Sequence, residues 1–237
     1  MISVIPVTGL PEIEEGDNLG AMIAAHATVE DGDVVVVAHK VVSKAEGRVV
    51  RLDEIEVSAR ARELAREWCD PRESEVILRE TARIVRERNS LVIAETRHGF
   101  VCASAGVDHS NAIPGTLVLL PVDPDASARG IRDLLGAKVA VIVADSFGRP
   151  FRTGTTDIAI GVAGLGPLRD LRGTPDRRGE PLRSTQVALA DELAAAANLV
   201  RSGKDDGLPV VIVRGVEFSG DGSAQELVMS PERDLFR

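Results

Sequence analysis

The stretch VAVIVADSFGRPFRTG, residues 139–154, joins an apolar run to a polar, basic loop, and the fold and the chemistry of the chain both turn on it. Val139 to Ala144 is β-branched and continuous, the pattern of a strand buried on both faces. Asp145 and Ser146 follow it directly, ahead of a loop carrying Gly148, Arg149, Arg152 and Gly154. The expectation is a strand whose carboxyl end presents a carboxylate and a hydroxyl. Ligands bind at that edge in open α/β sheets, and these are the hard oxygens that Mg²⁺ or Mn²⁺ prefers. The arginines suit phosphate oxygens, and Thr153, Thr155 and Thr156 add donors. A second acidic residue, Asp108 in AGVDHSN (residues 105–111), stands where another strand-like run gives way to polar residues. Either Asp alone reads equally as a helix cap or turn residue. Together, beside basic loops punctuated by glycine, they favour a metal and phosphate site, with Asp157 open between supporting such a site and capping the next segment.

Outward from this stretch, strand-like runs recur at Val34 to Ala38, Leu91 to Ala94, Phe100 to Ala103, Thr116 to Leu120 and Val210 to Val213, alternating with helical patterns. The fold class is mixed α/β, sheets with surrounding helices. Asp70-Pro71-Arg72-Glu73 carries a cap, a proline at the first helical position and the acid of a capping box. Before it, Val57, Ala61, Leu64, Ala65 and Trp68 share one helical face, so Trp68 reads as core. Further helices are expected over Leu19 to Ala27, from Asp123-Pro124 through Leu135, and over Ala188 to Val200, ending near Gly203. A hairpin turns at Arg97-His98-Gly99. His98 reads as a turn residue, His26 as a structural residue on an apolar helix face, and His109 as a neighbour of substrate. No long linker or repeat divides residues 1–237, which read as one functional unit, with two intimately packed smaller parts as the alternative.

Two further strand ends carry donors. His39-Lys40-Val-Val-Ser43-Lys44 follows Val34 to Ala38 and suits a polyphosphate, although surface lysines singly mean little. The loop after Val210 to Val213, with Gly215, Val216, Glu217, Gly220 and Gly222, could bring backbone N–H groups close to an anion, with Glu217 as a third carboxylate or a solvated loop residue. Neither a P-loop nor a Rossmann fingerprint occurs. Cys69 and Cys102 lack CxxC spacing and read as small buried hydrophobes. Net charge is −9, from 28 Lys+Arg against 37 Asp+Glu, with 3% aromatics, which excludes the basic, aromatic surface of nucleic-acid binders. No leader or membrane-length apolar stretch stands out, so a cytoplasmic, soluble protein is expected.

Six segments together resemble the coenzyme F420 γ-glutamyl ligase family: PVTGLPEI at 6–13, KVVSKAEGR at 40–48, AGVDHSN at 105–111, LLPVDPDAS at 119–127, DSFGRPFRTG at 145–154 and the terminal DLFR. The resemblance spans nearly the whole chain. It implies a GTP-dependent ligase that adds L-glutamate to the lactyl carboxylate of the deazaflavin precursor, coenzyme F420-0, through an acyl phosphate, and then further γ-linked glutamates. It also implies two Mg²⁺ or Mn²⁺ ions, a K⁺ ion and an intertwined homodimer. By matching position it implies nucleotide contacts at Leu10, Pro11, Glu12, Ile13, His39, Lys40, Lys44 and Asn111, and metal ligands at Asp108, Asp145, Ser146 and Glu217. His39 stands where Ser is commoner and Ser146 where Thr is frequent. The flavin-binding domain that many bacterial relatives carry after DLF is not expected here. The residues alone also allow a metal-dependent nucleotide phosphohydrolase, or a non-catalytic nucleotide-binding regulator.

Overall fold

The computed structural model describes residues 1–65, 69–136, 138–201 and 207–235. Trp68 and the helix end expected near Gly203 lie outside the described residues. Strand β1 (Ser3–Pro6) leads to helix α1 (Leu19–His26), capped by Asn18, whose side chain accepts from Ala21 N. β2 (Val34–Ala38) runs straight into α2 (His39–Ala45), followed by β3 (Val49–Arg51). Helices α3 (Ala59–Ala65) and α4 (Pro71–Glu80) precede a meander of β4 (Thr81–Arg88), β5 (Leu91–Thr96) and β6 (Val101–Ala103). After β7 (Thr116–Val118), α5 (Pro124–Leu135) leads into the long hairpin of β8 (Ala140–Arg149) and β9 (Arg152–Ala163). A short exposed arm, β10 (Arg169–Asp170) with β11 (Gln186–Val187), comes before α6 (Leu189–Asn198) and β12 (Val210–Arg214).

The main sheet has the order β1-β12-β2-β8-β9. β2 and β8 are parallel, whereas β12 is antiparallel to both β1 and β2, and β9 to β8. The carboxyl ends of β1, β2 and β8 therefore share one edge with the amino ends of β12 and β9. Alternation along β2 sends Val35 and Val37 to one face and Val34 and Val36 to the other. The first face packs with Val141, Val143 and Ile212 against Ile23 of α1 and Ile131 of α5. The second packs with Ile142, Val211 and Val213 against Leu189, Leu193 and Ala194 of α6. A sheet covered on both sides explains why its strands read as unbroken apolar runs. Smaller cores join Leu64 of α3, Ile77 of α4, Val92 and Ala94 of β5, and Val76 with Leu117 and Leu119.

The mixed α/β class and the helices at 124–135 and 71–80 match the sequence reading. Asp70 caps α4 by accepting from Arg72 N. Several readings are corrected. β1, β4 and β9 were not apparent as strands, and β8 continues five residues past Ala144, so Asp145 and Ser146 lie within a strand instead of opening a loop. Asp108 likewise is bridged to Val118 by paired backbone hydrogen bonds of 3.0 and 2.8 Å. His26 is exposed, its Nδ1 2.8 Å from Met22 O, because α1 turns that position to solvent. Cys102 is buried and Cys69 half-buried, and both are free thiols. Among the described residues no helix is long and apolar enough to cross a membrane.

Candidate active site

Strand register sets the first pair of the site. Ala38 of β2 stands opposite Ala144 of β8, so the residues that follow, His39 and Asp145, emerge side by side. His39 Nε2 lies 3.2 Å from Asp145 Oδ1. The approach lacks hydrogen-bond geometry, leaving both imidazole nitrogens buried without a hydrogen-bond partner. One residue before Asp145 the β8–β9 ladder slips: Val143 pairs with Gly161 but Ala144 with Ala159, so β9 carries an extra residue, Ile160. Such bulges bend a strand and re-aim the side chains next to them.

α2 begins at His39 and carries Lys40 and Lys44 one turn apart, hence on one face. Lys40 Nζ is 2.8 Å from Asp108 Oδ2 and also donates to Ser110 Oγ. Lys44 Nζ donates to Glu12 Oε1, on the loop that leaves β1. Asp108 Oδ1 accepts from Ser110 N at 2.6 Å. Burial pushes the Asp108 carboxyl up, but the Lys40 ammonium and the Ser110 N–H outweigh it and hold the group well below the usual carboxylate range. The turn that delivers Asp108 has positive φ at Ser104, Ala105 and Gly106 (53°, 52° and 74°). Left-handed non-glycine residues cost on the order of 1–3 kcal/mol each and cluster at functional sites.

On the other side of the strand end, Ser146 of β8 stands opposite Asp157 of β9. Ser146 Oγ donates to Asp157 Oδ1 at 2.5 Å, and Arg201 Nη2 donates to Asp157 Oδ2 at 2.9 Å. The Arg201 and Asp157 side chains are only 9% and 7% exposed. Burial lowers the Arg201 pKa, with Asp157 acting against it. Of the two readings of Asp157, support of the site is the one this geometry favours.

These groups converge on a cavity of about 1120 Å³. Leu10, Pro11, Glu12, Ile13, His39, Lys40, Lys44, Asp108, Asn111, Asp145 and Ser146 all line it, as do Thr155, Asp157, Arg201, Leu208 and Pro209. The structure leaves other candidates outside. Arg149 and Arg152 pair at the hairpin tip beyond Gly148, where Arg149 Nη2 donates to Thr153 O. The loop with Gly215, Val216, Glu217, Gly220 and Gly222 leaves the carboxyl end of β12, which points away from the carboxyl ends of β2 and β8 because β12 is antiparallel to β2. A Cβ on Gly215 would stand 2.2 Å from Met1 O, and one on Gly222 would stand 2.5 Å from Pro167 Cδ, so those two glycines serve chain packing. The Glu217 carbonyl accepts from Arg169 Nη2. His109 is 78% exposed, 3.5 Å from Glu73, and does not line the cavity. His98 sits in its turn with Nε2 2.9 Å from Pro121 O.

Sequence reasoning missed Arg201, Leu208 and Pro209. Their only signal, a polar, glycine- and proline-bearing stretch ahead of the apolar VVIV run, does not say which way the strand runs. A second, more open groove of about 580 Å³ between α1, α2 and α5 holds none of these residues.

Among the described residues no three His, Cys, Asp or Glu side chains stand together as a self-sufficient metal cage. The donors still fit a divalent cation. Mg²⁺ usually binds through one or two carboxylates and completes its shell with water and substrate phosphates. Asp145, with an unbonded imidazole beside it, and Ser146 offer such oxygens on opposite faces of one strand.

A family model described as F420-0:Gamma-glutamyl ligase matches residues 9–215. The chain is similar to the coenzyme F420:L-glutamate ligase of Methanopyrus kandleri, at 48% identity over 100% of this chain and 98% of that protein. It is likewise similar to the protein of that name from Methanocaldococcus jannaschii (45%, over 96% and 94%) and from Methanothermobacter thermautotrophicus (43%, over 100% and 99%). With the match running from the β1–α1 loop to the end of β12, through every strand that lines the cavity, the chain belongs to the F420-0:gamma-glutamyl ligase family.

Proposed function

We propose that the cavity joins L-glutamate to the carboxylate of coenzyme F420-0 with GTP as the driving substrate, and then extends the product by γ-linked glutamates. The observation that carries this reading is the meeting of Asp108, Asp145 and Ser146 with Lys40 and Lys44 at one sheet edge, in a cavity lined from several strands. A carboxylate resists attack by an amine, so it needs a leaving group. Transfer of the γ-phosphoryl group supplies one: the acceptor carboxylate oxygen attacks γ-phosphorus, the bond to the β–γ bridging oxygen breaks, and GDP departs. The glutamate amine then attacks the acyl carbon, phosphate leaves, and the amine gives up a proton.

Lys40 and Lys44 are already held by the carboxylates of Asp108 and Glu12, and phosphate oxygens would compete for the same ammonium donors. Asp145, Ser146 and Asp108 would hold Mg²⁺ or Mn²⁺, which when bound neutralises charge on the transferring oxygens. No protein nucleophile is needed. The test is GDP formation measured with F420-0 and glutamate supplied together and singly. A ligase forms GDP in step with glutamylated product when both are present. Steady GDP release without any acceptor would make the protein a nucleotide phosphohydrolase instead.

A further inference from the structure

We infer that Asp157, held by Arg201, is a positioning residue that fixes the Ser146 hydroxyl as an acceptor toward a divalent cation. This rests on the proposal above that Ser146 is a cation ligand, and extends it to two residues with no assigned part in the reaction. The argument is one of hydrogen-bond polarity. A hydroxyl has one proton and two lone pairs, whereas a carboxylate can only accept. With Ser146 Oγ 2.5 Å from Asp157 Oδ1, the proton of Ser146 is committed to Asp157. Its lone pairs then face the cavity, and Ser146 cannot donate to a phosphate there.

Alone, the Asp157 carboxylate could rotate away from Ser146. Arg201 prevents this by donating to the second oxygen, Oδ2, at 2.9 Å. Arg201 is itself placed by α6, which packs on the face of the sheet that Ser146 and Asp157 share. Its Nη1 also reaches Pro209 O, 3.4 Å away at the entrance to β12. The order Arg201–Asp157–Ser146 thus runs from a buried cation through an acceptor to an oriented oxygen, all three lining the same cavity. Partners of this kind orient metal ligands, and their loss typically lowers metal affinity about 10–100-fold.

The test is a Mn²⁺ titration of the purified protein, followed by the electron paramagnetic resonance of free Mn²⁺, for wild type, Ser146→Ala, Asp157→Asn and the double variant. Asp157→Asn can turn its amide N–H toward Ser146, reversing the polarity of the bond. The expected result is a loss of Mn²⁺ affinity of about 10–100-fold in each single variant, with no further loss in the double. Because Asp157→Asn leaves a buried guanidinium without its counter-ion, Asp157→Asn with Arg201→Met is measured in parallel. It removes both charges and should show the same weakened binding in a protein that circular dichroism reports as folded. Unchanged affinity in both folded Asp157 variants, or losses that simply add in the double, overturns the inference while leaving the cation reading intact. Failure of the wild type to bind Mn²⁺ overturns the cation reading and this inference with it.

Discussion

Asp108 and Asp145 are held in opposite ways. Asp108 is clamped by Lys40 and by the Ser110 N–H, whereas Asp145 faces an imidazole with which it makes no hydrogen bond. Among the described residues Asp145 accepts only the Ser146 N–H, at 2.7 Å, so it has more freedom to take a cation, whereas Asp108 would have to share its charge between a cation and Lys40. Asp145→Ala should lower glutamate ligation by 10²–10³-fold or more, on the order seen when one electrostatic stabiliser is lost. The melting temperature should fall by under about 4 °C, the equivalent of roughly 1 kcal/mol in a chain of this size. Near wild-type turnover in a folded variant would return Asp145 to a structural part. Cys102 gives a second residue-scale expectation. Burial, and after it the charge of Asp145, push the thiol up to about 12, with the Gly106 N–H acting the other way. Since the thiolate is the reactive form, Cys102 should stay unlabelled by iodoacetamide at pH 8 in the native protein and become labelled in guanidinium. Mass mapping of the alkylated peptide reads this out, and rapid native labelling would contradict the buried placement.

Among elements, the helices and the two central strands were legible because their signals are local. Asp123-Pro124 caps and opens α5 in the expected place, and the valines of β2 announce a doubly covered strand. Strand direction was not legible: VVIV at 210–213 reads the same parallel or antiparallel, so nothing in it says that residues 207–209, and not 215–222, meet the cavity. The second half of β8 was hidden for a different reason. DSFGR is polar and glycine-bearing, but its ladder with Thr155, Thr156 and Asp157 is made by backbone groups that ignore side-chain polarity. Burial of Arg201 was equally unreadable, since it depends on where α6 docks. The bulge of β9 shows how tightly these elements are fitted. A Cβ on Gly161 would meet Pro124 O at 2.2 Å and Pro124 Cβ at 2.7 Å, and Val162 N donates to Asp125 Oδ1 at 2.7 Å. Both of those Cβ contacts belong to Pro124, and neither its backbone carbonyl nor its rigid ring can yield cheaply. Gly161→Ala should therefore cost about 3 kcal/mol, the upper end for overpacking, and lower the melting temperature by roughly 6–12 °C. A shift under 2 °C in a calorimetric scan would mean that α5 does not press on β9 as described.

For the molecule as a whole, a net charge of −9 would oppose the approach of the anionic nucleotide proposed above, so attraction would have to be local, from Lys40, Lys44 and the cation proposed with them. The cavity of about 1120 Å³ exceeds the roughly 300–1,000 Å³ that encloses one drug-sized ligand. The proposed reaction requires nucleotide and acceptor to occupy it together, the condition for direct phosphoryl transfer between them. With no nucleophile signature among its residues, a stepwise reaction must store its activation on the acceptor as an acyl phosphate. Consequently GTP, Mg²⁺ and F420-0 without glutamate should form that species reversibly. GTP labelled with heavy oxygen in the β–γ bridge tests this: when the bridge bond breaks, the β-phosphate of bound GDP can rotate before GTP re-forms. The label should scramble into non-bridging positions only when F420-0 is present. Metal coordination can block that rotation, so hydroxylamine serves as a second readout, converting an acyl phosphate into a hydroxamate of F420-0 that mass spectrometry detects. Both signals should vanish in Asp145→Ala. Neither scrambling nor hydroxamate in the wild type would rule out the stepwise route, leaving a reaction in which GTP is cleaved only once glutamate has joined the other two substrates in the cavity.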